Sequence, residues 1–190
     1  MAENKVQFNL KNVHYSLLTE TIEDGVSSYT WGTPVAVPGA VSLSMDAEGE
    51  TNKFYADGIA YYVSVANNGY SGDLEMARFP EKMLQDVWGF ELDETDKVLV
   101  EQASVNAKPF ALLFQIDGDA GDNRFLLYNC TAARPNVGGS TTEDTKEPST
   151  QTVTVTASPL TDGRIKASTT AQTSDTVRNA WFTKVWEANG

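Results

Sequence analysis

The side chains able to do chemistry are few and scattered. His14 is the only histidine and Cys130 the only cysteine of the 190 residues. Hydrolytic triads and most zinc sites need a histidine held beside partners, so a lone histidine in a strand-like run reads as structural. Cys130, in the apolar run Leu126-Leu127-Tyr128-Asn129-Cys130, reads as a small buried hydrophobe and has no partner for an intramolecular disulfide. Three acids crowd the segment Asp117-Gly118-Asp119-Ala120-Gly121-Asp122 and could offer oxygens to calcium. An EF-hand loop wants glycine at position six and an acid at position twelve, where this chain has Asp122 and Tyr128. The segment therefore reads as a hairpin turn, with an irregular cation site as the alternative. Glu48 with Glu50, and Glu143 with Asp144, are carboxylate pairs of the kind a glycosidase uses, yet both lie in turn-like stretches with no apolar pocket to raise a pKa. No glycine-rich phosphate loop and no nucleophile elbow occurs. The chain is expected to have no catalytic residue, no metal and no cofactor, and not to be an enzyme.

The elements that would carry these residues are mostly strands. Hydrophobic residues make up 41% of the chain, enough for a core, and the polar balance leans on Thr, Ser, Asn and Gly, which suit strands and turns. Net charge is −12, which argues against a surface built to hold phosphates. The N-terminal run MAENKVQFNLKN lacks the apolar stretch of a signal peptide, and no run is long enough to span a membrane. Synthesis and folding in a reducing cytoplasm are expected.

Alternation of apolar and polar residues marks strands near 6–18, 40–45, 59–66, 98–105, 108–116, 124–133 and 152–157. Asp57-Gly58 is a hairpin signal, and Asn67-Asn68-Gly69 predicts a tight turn that returns residues 70–78 as the partner of 59–66. Asp162-Gly163 predicts a hairpin from the 152–157 strand into 164–170. Met83, Leu84, Val87 and Trp88 fall at helical spacing between Pro80 and Gly89, and Ser174 or Asp175 caps a second helix running to about Trp186. The strands 108–116 and 124–133 are the most apolar and read as a central hairpin. Residues 19–39 and 134–151 read as two long loops, rich in Gly, Pro, Ser and Thr. The sum is one mainly β domain over 1–190: an antiparallel β-sandwich or barrel of roughly eight to ten strands with one or two flanking helices.

Specific residues also resemble a known family. They are Pro38-Gly39-Ala40-Val41-Ser42-Leu43-Ser44, Phe54-Tyr55-Ala56-Asp57-Gly58, Asn68-Gly69-Tyr70, Gly72-Asp73-Leu74-Glu75 and Trp88-Gly89. Lys108-Pro109-Phe110-Ala111-Leu112-Leu113-Phe114-Gln115, Leu127-Tyr128-Asn129-Cys130, the strand from Thr152 to Ser158 and Ala180-Trp181-Phe182 complete the set. Through them the chain resembles the major tail protein, or tail-tube subunit, of long-tailed noncontractile phages and prophages of Gram-positive bacteria. The resemblance implies a structural virion protein, assembled in the host cytoplasm, whose hexameric rings stack into a hollow tube. It implies partners: copies of itself, tape-measure and tail-terminator or tail-tip proteins, and phage DNA that passes through the lumen without specific binding. It implies no catalytic residue and no membrane.

Two polar loops suit contact between subunits, so Trp31 and Pro34 in the first and Gly138, Glu143, Asp144 and Lys146 in the second are the expected assembly contacts. The rival reading is a monomeric β-sandwich binding module, a virion decoration or carbohydrate-binding protein, with Trp31 or Tyr70 stacking on sugar rings.

Overall fold

The computed structural model describes residues 3–139, 141 and 148–188. Among these the strands are β1 (Gln7–Glu23), β2 (Val26–Trp31), β3 (Val35–Ala36), β4 (Ala40–Glu48), β5 (Thr51–Ala56), β6 (Ile59–Val65) and β7 (Gly69–Met76). After helix α1 (Glu81–Trp88) come β8 (Glu91–Leu92), β9 (Leu99–Val100), β10 (Phe110–Gly118), β11 (Asp122–Ala132), β12 (Gln151–Ala157), β13 (Lys166–Ser168) and helix α2 (Asp175–Ala180). The fold is mainly β. One antiparallel sheet runs in the order β2-β1-β10-β11-β12-β7-β4, with β3 added to β1 and β13 to β11. It curls until β1 lies against β4, so it is closer to a barrel than to two stacked sheets.

The concave side is sealed by α1. Pro80 enters in an extended conformation at φ −62°, where its missing N–H is no loss, and Gly89 stops the helix in the left-handed region at φ 67°. Met83, Val87 and Trp88 lie on one stripe and are buried. They meet Tyr15, Leu74, Met76, Phe110, Leu112, Leu127, Val153 and Val155 from five strands. Alternation sends the other set of β10 and β11 side chains outward. Ala111, Leu113, Leu126 and Tyr128 form a second apolar cluster, covered by Leu160, Trp181 and Val185. The β10–β11 hairpin is thus buried on both faces, which is why its sequence is nearly continuously apolar.

One polar pair ties α1 to the sheet. The Tyr15 hydroxyl donates to Asp86 at 2.6 Å, and Lys82 approaches the same carboxylate at 2.9 Å. Burial, together with the hydrogen bond and charge of Asp86, pushes the Tyr15 phenol well above its ordinary value of 10.0. Burial alone would raise the Asp86 carboxyl, but the Tyr15 and Lys82 hydrogen bonds and the Lys82 and Lys108 charges outweigh it and hold it low. Tyr15→Phe is therefore expected to cost about 1.5–3 kcal/mol at neutral pH, the range for a hydrogen bond to a charged group. A depressed carboxyl stabilises the fold above its unfolded pKa and loses that effect as pH falls through the folded value. A raised phenol stabilises it below pH 10 and loses that effect as pH climbs further. Urea unfolding at several pH values should show the gap between wild type and Tyr15→Phe widest near neutrality and closing at both extremes.

Several sequence expectations need correction. Residues 19–39 are not a long loop: 19–31 complete β1 and β2, paired from Leu18 with Trp31 to Glu23 with Val26. Their faces are both largely exposed, so no buried alternation betrays them. Residues 70–78 do not return along 59–66. β7 pairs with β4 and β12, because the chain bulges at 66–68 opposite Gly49 and Glu50 and runs straight on. The Asp162-Gly163 turn does not make a hairpin with β12. Both edges of β12 are already taken by β11 and β7, and β13 fills the free edge of β11 at 125–127. The strand expected at 98–105 shrinks to β9, paired only with β8. The last helix is six residues long. Ser174 caps it as expected, accepting from the Val177 amide, but the Thr183 hydroxyl takes the Ala180 carbonyl and Trp181 turns into the sheet.

Candidate assembly surface

Two ribbons project from the sheet. The first is the end of β1 with β2, closed by Asp24 (φ 50°) and Gly25 (φ 79°). The second is β5 with β6, closed by Asp57 (φ 52°) and Gly58 (φ 77°). Two successive positive-φ residues match the right-handed twist of a two-residue hairpin, and Asp-Gly supplies them at low strain. Five antiparallel steps separate β1 from β4, so the two ribbons leave the sheet in opposite strand senses.

The β5–β6 ribbon joins neither core cluster. Phe54 stands opposite Tyr62, with Asn52 opposite Ser64 on the same face; Lys53 opposite Val63 and Thr51 opposite Val65 share the other. A register shift after Phe54 pairs Tyr55 with Ala60 and leaves Tyr61 as the extra residue. Phe54 and Tyr62 are each 62% exposed, Tyr55 63%, Tyr61 70% and Val65 74%, with Ile59 and Val63 also exposed. So much apolar surface on one hairpin is unusual for a soluble monomer, and an isolated two-stranded hairpin is marginal in water. Its only charges are Lys53 and Asp57, so the ribbon is net neutral on a chain of net charge −12.

The expected contacts fare differently. Trp31 is part-buried at the base of the first ribbon. Its indole N–H donates to the Tyr128 carbonyl at 3.0 Å, and the Arg164 guanidinium lies 5.6 Å from its ring. It acts as a lid on the second cluster. Pro34 is buried and offers nothing to a neighbour. Gly138 is exposed, with open space around it. Glu143, Asp144 and Lys146 lie outside the described residues. Tyr70, the other suggested sugar platform, is capped by Lys166, whose Nζ sits 4.6 Å from the ring centre and donates to the hydroxyl at 2.8 Å. The exposed apolar set Phe54, Tyr55, Ile59, Tyr61, Tyr62, Val63 and Val65 is not among the residues that the sequence reading singles out as contacts. Their signal was present: apolar residues in immediate succession on both sides of Asp57-Gly58, where a half-buried strand would alternate.

The acidic segment 117–122 is the predicted turn. Asp117 accepts from Asn9 and Gln115 and pairs with Lys11 at 2.5 Å. Those Lys11 and Gln115 bonds hold its carboxyl below the usual range. Asp119 accepts from the Lys5 amide, and Asp122 pairs with Arg124 and Arg178. Each carboxylate already has a protein donor. Among the described residues, no three His, Cys, Asp or Glu side chains gather as a metal site. The His14 Nδ1–H donates to the Asn12 carbonyl at 2.8 Å and the ring stacks on Phe182, a packing role.

No protein-family description matches the chain, and no curated protein matches it at a significant level. Among solved structures, it is similar to the cap that terminates the tube of the anti-feeding prophage, at 13% identity and a TM-score of 0.39, over 90% of this chain and 97% of that one. It is similar to a chain of the sheath-tube complex of an extracellular contractile injection system, at 14% identity and a TM-score of 0.42, over 84% and 89%. It is also similar to a chain of the sheath/tube terminator of such a system, at 11% identity and a TM-score of 0.37, over 84% and 94%. At such scores the likeness bears on neither family nor role.

Proposed function

We propose that this chain is a structural protein that works by associating with its own copies to build a tube, and that it does no catalysis. The observation that carries this reading is the β5–β6 ribbon: a net-neutral, apolar hairpin that is largely exposed and joins neither core cluster. Two ribbons leaving in opposite strand senses suit a head-to-tail contact, in which different patches meet and growth continues along an axis. The free edge of β2 offers backbone groups for lateral pairing. In the finer reading, hexameric rings stack into a phage tail tube in the virion. Excess negative charge then keeps DNA from sticking to the lumen. Tape-measure, terminator and tail-tip proteins are the expected further partners.

Sedimentation velocity of the full chain at rising concentration, followed by negative-stain microscopy, tests this. Rings or hollow tubes are expected. A particle that sediments as a monomer at every concentration, with or without preformed seeds, overturns the proposal.

A further inference from the structure

We infer that the β5–β6 ribbon is gripped between two other copies of the chain, one on each face. The inference rests on the self-assembly reading and specifies the partner of that surface. A ribbon lying on one neighbour needs one apolar face and one polar face, which is what strict alternation produces. This ribbon has two apolar faces. Phe54 and Tyr62 stand on one; Tyr55, Val63 and Val65 stand on the other.

Area supports the same division. Four aromatics and three aliphatics at these exposures present about 800 Å² in all, the share one partner contributes to a standard interface, so each face alone falls near half of that. Neither face by itself gives a stable pair, and both together do. The occupant is a further copy rather than an unlike protein because of charge. Chains at −12 repel one another, and the ribbon, with Lys53 balanced by Asp57, is a stretch that can approach another copy without adding to that repulsion. Among the described residues, the other exposed large apolar side chains are scattered: Ile22 and Val26 stand on opposite faces of the first ribbon, Val6 is near Phe8, Val98 near Val100, and Val41 and Val137 stand apart. Each suits one face of the ribbon and none suits both.

Thr51 and Asn52 are exposed neighbours on opposite faces, and native Cys130 is buried and silent to reagents. Thr51→Cys and Asn52→Cys chains are labelled with a maleimide as monomer and as polymer. Both rates should fall at least tenfold on polymerisation. A trace of chain carrying both cysteines with a photo-crosslinker, polymerised in excess wild type, should yield a three-chain product. One position as reactive in the polymer as in the monomer, or two-chain products alone, overturns the two-sided grip while leaving self-assembly intact. Wild type that stays monomeric overturns both.

Discussion

Excising residues 51–65 and joining Glu50 to Ala66 through Asn-Gly should abolish polymer and leave a folded monomer. The join is geometrically prepared. The Ala66 amide donates to the Glu50 carbonyl at 2.9 Å, the closing bond of a two-residue hairpin. No residue from 51 to 65 belongs to either core cluster, so the unfolding free energy should change by less than about 1 kcal/mol, and the shorter connection slightly favours the fold. Sedimentation reads the first effect and urea unfolding the second. A shortened chain that still forms tubes removes the ribbon from the assembly mechanism. One that fails to fold shows that the ribbon is part of the body after all.

Trp88→Ala should have the largest effect on the fold itself. Trp88 sits at the end of α1, 4% exposed, with its ring edge-on to Phe79 at 5.5 Å between centres. Its indole N–H donates to the Ala133 carbonyl at 2.9 Å and more weakly to the Ala132 carbonyl at 3.3 Å. Truncation empties the seam between α1 and the end of β11 and removes the donor from the buried Ala132 carbonyl and the more exposed Ala133 carbonyl. Loss of a buried tryptophan costs about 3–5 kcal/mol, a large part of the roughly 5–15 kcal/mol that holds a typical domain. Trp88→Phe keeps most of the volume but not the donor and should fall between the two. Urea midpoints of the three proteins check the order, and an alanine variant as stable as wild type would show that α1 does not seal the barrel.

The residues that the sequence made most legible are those governed by a single local rule. Pro80 and Gly89 bracket α1, Asp57-Gly58 closes a ribbon, and Val153, Val155 and Ala157 alternate against threonines on a half-buried strand. The β10–β11 hairpin was legible because burial on both faces leaves a run with almost no polar residue. The first ribbon was not, because Thr19 to Thr30 is a pairing of mostly exposed polar residues. Nothing in such composition separates a strand from a loop until its partner is in place. The destination of β7 was hidden for another reason. Turn chemistry at Asn67-Asn68-Gly69 fits a reversal and a bulge equally, and only the pairing of 40–48 with 69–76 decides between them.

By itself, then, the order of residues determined the β class, the central hairpin and the sealing helix, since each follows from periodicity or turn residues that act over a few positions. Only the tertiary structure decided which aromatic residues face water. Trp31 and Phe54 carry similar local signals, but Trp31 finds Tyr128 and Arg164 beneath it, while Phe54 has another ribbon residue opposite and nothing below. Exposure is a property of what the rest of the chain brings alongside, and that is fixed by long-range pairing rather than by neighbours in sequence.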